Sequence, residues 1–271
     1  MITRSSISVD AQNYIRTKLS QLEQERQVRI LFAVESGSRA WGFPSKDSDY
    51  DIRFIFARDE KDYFSVREHR DVIETPIVND DYLGVPFDMN GWDIRKALRL
   101  AINSNPSLIE WFSSPIRYII HNGTMEQISQ FAFTVVNKES LKNHYYQLTK
   151  NAWQQIQEKG QDGIGVKLYC YALRPALCLR WIEQLGAYPP MDLWSLLQGL
   201  TEDKKLMEEI VKLISLKATV GEHDIIPHLT TIDHYITQAL NISITKISKT
   251  DEQRDELYKQ ADLLFRKLTK Q

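Results

Sequence analysis

Cysteine is nearly absent: two residues, Cys170 and Cys178, in a chain of 271. That excludes a disulfide scaffold, and their place in an apolar helical stretch reads as two buried thiols of a reducing cytoplasm. Glycine (11) and proline (9) are too sparse for a collagen-like or low-complexity chain. No charge sign dominates. Lys and Arg total 34 against 36 Asp and Glu, so a protein that grips nucleic acid by bulk charge is excluded and any polyanion site must be a local pocket. No run of eighteen apolar residues suggests a membrane span, and the opening MITRSSISVDAQNY lacks the apolar core of a secretory leader.

What is present is a globular chain of two characters. Residues 9–26 carry apolar side chains at helical spacing, with Asp10 expected as the cap; 28–34 (VRILFAV) and 50–57 (YDIRFIFA) read as strands. Residues 82–89 (YLGVPFDM) read as a further strand, at an edge or bulge because of Pro86, followed by a turn through Asn90-Gly91. Helices are expected over 93–103, capped by Asp93, and over 106–112, opened by Pro106, with a short strand at 116–120. Beyond about residue 135 strand patterns give way to helical ones, at 136–158, 164–186, 191–199, 202–217, 226–240 and 250–269. The breaks fall at 160–165, 187–190 and Val220-Gly221.

The informative stretch lies between the first two strands. Gly37-Ser38 follows a strand, where a helix can open with its backbone N–H groups outward and phosphate oxygens can approach closely. Asp49 and Asp51 are two apart, so on a strand both project from one face and can share hard cations such as Mg²⁺. Asp88, between apolar Phe87 and Met89, is expected as a third carboxylate from a neighbouring strand. Three acids would hold two metal ions about 3.5–4 Å apart, the arrangement for in-line displacement at phosphorus. Arg39 is either a phosphate ligand or a surface partner of Asp47 or Glu35. Arg53, on the same strand face as the acids, either neutralises triphosphate charge or pairs with the carboxylates. Lys167, Tyr171 and Arg174 line one helical face; they either meet a triphosphate and base or pack along a seam. Trp41 sits in the loop between the strands and is read either as a cover for a nucleobase or as packing; the remaining tryptophans read as packing. Ser45 and Ser48 read as turn formers. His223, His228 and His234 have no metal-ligand spacing.

The string GSRAWGFPSKDSDYDIRFIF at 37–56 resembles the nucleotidyltransferase superfamily typified by DNA polymerase beta. It is similar in particular to the branch of predicted nucleotidyltransferases that includes the RNA repair pathway enzyme of the polymerase beta family. FDMNGWDIRKALRL (87–100), KLYCYALRPALCLRWIE (167–183) and PPMD (189–192) extend the likeness over roughly residues 30–192; Ser36 departs from the usual apolar residue before the glycine. The resemblance implies an α+β fold: a small mixed β-sheet nucleotidyltransferase domain flanked by helices (1–130), followed by an all-α helical bundle domain (131–271). It implies transfer of a nucleoside monophosphate from an NTP to a hydroxyl with release of pyrophosphate. Asp49, Asp51 and Asp88 would bind two Mg²⁺ or Mn²⁺ ions and carry catalysis, and Gly37 and Ser38 would bind the nucleotide phosphates; Arg39, Arg53, Lys167 and Tyr171 are the further candidates for nucleotide contacts read from the residues themselves. The acceptor on this reading is an RNA end. Protein or small-molecule nucleotidylation, and an idle nucleotide-binding module of toxin–antitoxin type, are the alternatives.

Overall fold

The structure is a computed structural model that describes residues 7–121, 123–159, 163–200, 203–219, 224–245 and 249–270. Gly160, Val220, Gly221 and His223 lie outside the described residues. In chain order the elements are α1 (Val9–Arg26), β1 (Arg29–Ser36), α2 (Gly37–Trp41), β2 (Tyr50–Ala57), α3 (Glu60–Tyr63), β3 (Val72–Glu74), β4 (Val78–Asp80), β5 (Val85–Asp93), α4 (Ile94–Ile102), α5 (Pro106–Phe112), β6 (Arg117–Ile120) and α6 (Thr124–Val135). They continue with α7 (Lys138–Glu158), β7 (Ile164–Gly165), α8 (Val166–Leu185), α9 (Leu193–Gly199), α10 (Lys204–Thr219), β8 (Ile225–Ile226), α11 (Thr230–Ala239) and α12 (Asp251–Thr269). No described helix is long and apolar enough to cross a membrane.

The chain divides into two compact units that do not follow chain order. The sheet unit holds the described residues of 7–37, 49–136 and 249–270. Its strands run β3-β5-β2-β1-β6, with β4 also paired to β5. Among the described residues only β2 and β5 pair in parallel; every other pair in this sheet is antiparallel. The strands β1 and β2 form where Ile, Phe and Val dominate, and side-chain alternation sorts β2 cleanly. Ile52, Phe54 and Phe56 join Ile15, Leu19 and Leu22 of α1 in one buried cluster, while Asp51 and Arg53 fall on the opposite face. The C-terminal helix α12 packs on α4 and α6, and Arg29 donates to the carbonyl of Leu268 at 3.0 Å. The helical unit holds residues 38–48 together with the described residues of 137–245. Its centre is α8, against which α7, α9, α10 and α11 pack. Cys170 and Cys178 are both buried there.

Several local expectations are corrected. Ser8, not Asp10, caps α1, its hydroxyl accepting from the Ala11 amide at 3.2 Å; Asp10 instead sits in the first turn, where a negative charge suits the helix dipole. The strand expected at 82–89 begins three residues later and runs through Asn90-Gly91. The turn comes earlier, because Asp80 accepts from the amides of Tyr82 and Leu83 and Gly84 takes a positive φ. Gly91 is a strand residue for a packing reason: a Cβ there would lie 2.1 Å from the ring of Phe54 across the ladder. β5 is interior rather than an edge; Pro86 is accommodated because the ladder with β2 opens only at Phe87. The two-stranded β7–β8 ribbon was hidden in a stretch that reads as helical. Pro175 lies inside α8, which continues past it to Leu185.

Gly91→Ala should therefore push on a fully buried phenylalanine and cost about 1–3 kcal/mol of stability. Urea unfolding checks this, and the double variant Gly91→Ala/Phe54→Leu should recover part of the loss.

Candidate active site

β2 and β5 run side by side and parallel, with Asp51 opposite Asp88. That register puts two carboxylates on one face of adjacent strands, about 4.8 Å apart along the ladder direction. Asp88 is 4% exposed and Asp51 is half-buried. Between them lies Arg53, two residues along the same face: one terminal nitrogen donates to Asp88 Oδ2 at 2.8 Å, the other to Asp51 Oδ1 at 3.0 Å. Of the two readings of Arg53, pairing with the carboxylates is what the structure contains. Asn90 Nδ2 donates to the same Asp88 oxygen at 2.6 Å, while Asn90 Oδ1 is a buried acceptor without a hydrogen-bond partner.

Burial pushes the Asp51 carboxyl up to about 6, against the pull of Arg53, with the charges of Asp49 and Asp88 and a hydrogen bond to Asp88 adding to the rise. Asp49 itself precedes β2 rather than standing on it. Among the described residues no group of three or more His, Cys, Asp or Glu side chains is placed so as to hold a metal ion. The chemistry of the donor set nevertheless fits a hard dication. It comprises two adjacent carboxylates, an acidic neighbour in Asp49, and an orphaned amide oxygen in Asn90.

Gly37 closes the sheet side of this arrangement. It adopts φ +72°, and a Cβ there would stand 2.1 Å from Asp51 Oδ2. Only glycine supplies both the left-handed backbone and the room for the carboxylate.

Glu35 is a residue that sequence reasoning treated as a surface acid and the structure buries completely. Its Oε1 accepts from the Asp51 amide at 2.8 Å and its Oε2 from the Tyr118 hydroxyl, while Ser114 Oγ donates to its backbone carbonyl at 2.7 Å. A carboxylate near the end of β1 thus ties the start of β2 to β6 and fixes the backbone that carries Asp51. Its signal in the sequence was a lone acid ending an otherwise apolar strand, RILFAVES.

In the helical unit, the segment 38–48 is held by a small buried hydroxyl cluster. Ser38 Oγ donates to Ser48 Oγ at 3.0 Å, Ser45 and Ser48 hydroxyls lie 2.9 Å apart, and the Ser45 amide donates to Ser48 Oγ at 2.9 Å. Ser45 and Ser48 are thus more than turn formers, and the Ser38 hydroxyl is engaged within the loop. Arg39 donates to the Ser48 carbonyl at 2.5 Å. Trp41 packs under the Arg174 guanidinium at 4.7 Å and edge-on to Tyr171 at 5.4 Å, and Trp194 Nε1 donates to the Gly42 carbonyl at 3.1 Å. Trp41 therefore serves packing within this unit. Arg174 is buried and donates to the Met191 carbonyl at 3.1 Å. Lys167 lies 5.8 Å above the Tyr171 ring, so the expected helical face exists as a contact, with Tyr171 40% exposed.

The sequence pattern of the RNA repair pathway DNA polymerase beta family matches residues 11–267, nearly the whole chain. The protein belongs to that family. A Bacillus subtilis (strain 168) relative described as the uncharacterized protein YcgL is 41% identical over 220 residues, 81% of each chain. Among solved structures, a nucleotidyltransferase-like protein from Exiguobacterium sibiricum 255-15 aligns over 94% of this chain and 76% of its own, at 13% identity and TM-score 0.32. The family match extends the resemblance seen at 30–192 through α12, which no sequence motif had covered. Within the polymerase beta family framework, the pair Asp51 and Asp88 is the acidic feature that the sheet of this chain brings together.

The raised Asp51 carboxyl makes a signed prediction. A group that binds its proton more tightly when folded leaves the folded state holding more protons between pH 3.8, its ordinary value, and about 6. Stability then falls as pH rises through that window. Asp51→Asn should be more stable than the wild type at pH 7, by an amount on the order of 1–3 kcal/mol, with the gap closing below about pH 4. Urea midpoints in chelator across pH 4–8 measure it; an equal or lower midpoint for the variant at pH 7 contradicts the burial argument.

Proposed function

We propose that the protein is a metal-dependent nucleotidyltransferase that moves a nucleoside monophosphate from an NTP to a hydroxyl acceptor and releases pyrophosphate. The observation that carries this reading is the in-register pair Asp51 and Asp88 on parallel strands, with Gly37 cleared of any side chain beside Asp51. Asp49, Asp51 and Asp88 are the residues that would hold Mg²⁺ or Mn²⁺. Bound there, two such ions supply neutralisation of triphosphate charge and a more acidic acceptor hydroxyl.

The chain's own residues do the rest by positioning. Glu35 holds the Asp51 backbone, so the carboxylate need not reorganise during the reaction. Arg53 bridges the two acids and holds them aligned, and on this reading it turns one nitrogen to a phosphate oxygen when the substrate binds. Gly37, together with Ser38 and Arg39 of the loop that follows, is proposed to contact the phosphates. Lys167 and Tyr171 are proposed to contact the nucleotide from α8. No covalent enzyme intermediate is required, since in-line phosphoryl transfer is driven by orientation and charge. An RNA end is the acceptor we favour, in keeping with the family's description.

The test incubates the protein with each α-labelled NTP, Mg²⁺ or Mn²⁺, and either total RNA or a protein lysate. Label in RNA is the expected outcome; label on protein would support nucleotidylation of proteins instead, and no label under any condition would support an idle module. Asp51→Asn/Asp88→Asn should lower transfer by about 10²–10³-fold or more while melting cooperatively. Lys167→Ala should weaken NTP binding, read by equilibrium dialysis, without changing the metal requirement.

A further inference from the structure

At the far end of the same strands lies a second feature that nucleotidyl transfer does not use. A cavity of about 610 Å³ is walled by Arg58, Arg67, Arg70, Arg95, Arg99 and His69. Its position is set by the parallel pairing: Arg58 follows the end of β2 and Asp93 ends β5, five residues beyond Asp88. At strand rise that is roughly 17 Å from the carboxylate pair, so the two features are separate.

Two of the four acids that share the wall have partners of their own. Asp93 caps α4 through the Arg95 amide at 2.8 Å and accepts from the Tyr63 hydroxyl at 2.9 Å. Asp71 pairs with Lys96 at 3.3 Å. Asp62 and Glu68 remain, against the guanidinium groups of Arg58, Arg67, Arg95 and Arg99; Arg70 is paired with Glu74 at 2.7 Å. Arg95 and Arg99 stand one turn apart on α4, and Arg95 is propped over the rings of Tyr63 and Phe265 at 4.9 and 5.1 Å. Arg58 donates to the Arg70 carbonyl at 3.2 Å, but its Nε is a buried donor with no hydrogen-bond partner. An unpaired buried donor is costly and is the kind of group an incoming acceptor relieves.

We propose that this cavity binds the phosphate groups of a single polynucleotide strand. Guanidinium groups fork onto phosphate oxygens. Here they come from three segments, Arg58 after β2, Arg67 and Arg70 before β3, and Arg95 and Arg99 on α4, which suits phosphates strung along a chain. Phe64, between the lining residues Tyr63 and Ser65 in sequence, is 81% exposed, an aromatic side chain beside the lining segment on which a base can stack. The site reconciles a near-neutral chain with a nucleic-acid partner, because the positive charge is local.

The experiment is fluorescence anisotropy of a labelled 20-nucleotide single-stranded RNA between about 50 and 200 mM KCl, in EDTA and without nucleotide. Transfer activity plays no part in this readout, so failure of the proposed function and failure of this inference are distinguishable. Wild-type affinity should fall with salt. The double variant Arg67→Gln/Arg99→Gln, at two exposed positions, should bind about tenfold more weakly at 100 mM and lose roughly 0.7 of salt slope per phosphate contact removed. Phe64→Ala should bind several-fold more weakly with the slope unchanged. Unchanged affinity and slope in the double variant would overturn the proposal. So would a wild type that binds tripolyphosphate, read by calorimetry, but not RNA.

Discussion

Two carboxylates placed opposite one another on adjacent strands repel, and burial makes the repulsion stronger. Most of what is specific to the sheet unit follows from keeping Asp51 and Asp88 together in spite of this. Arg53 answers with charge, bridging both acids from the same strand. Glu35 answers with rigidity, accepting from the Asp51 amide so that the backbone cannot swing the carboxylate away. Gly37 answers with empty space where any side chain would strike Asp51. The arrangement is destabilising by itself and persists because the surrounding core over-determines it.

The core that meets this cost is ordinary and effective. One face of β2 gives Ile52, Phe54 and Phe56 to the cluster under α1, and Gly91 of β5 makes room for the Phe54 ring. The alternation of a strand then presents Asp51 and Arg53 on the other face without any further device. Parallel pairing has a second consequence. It lines up the starts of β2 and β5, where the acids stand, and their ends, where Arg58 and Asp93 stand, so one pair of strands carries an acidic and a basic feature at opposite ends.

Much was legible along the chain. The apolar runs of β1 and β2, the capping role of Asp93 and the helix opened by Pro106 are all readable from local rules. So was the placing of Asp51, Arg53 and Asp88 on one sheet face, whereas Asp49, expected beside Asp51 on the strand, precedes β2. Asn90-Gly91 misled for a physical reason: the pair is a strong turn signal, and only the ring of Phe54, 37 residues away in the chain, explains a glycine inside a strand. Glu35 was misjudged for a similar reason, since an acid at a strand end is ordinarily solvated and its partners, Tyr118 and Ser114, are distant in sequence.

By itself the amino-acid order determined the family, the alternation of strands and helices, and which side chains share a face, because periodicity and motif spacing are local properties. Tertiary structure alone decided that Glu35 is a buried brace, that Ser38 is tied to Ser48, that α12 packs within the sheet unit, and that five arginines from three segments wall one cavity. Each of those depends on contacts between residues far apart in the chain. No window of sequence contains them, since they exist only once long-range pairing has been formed.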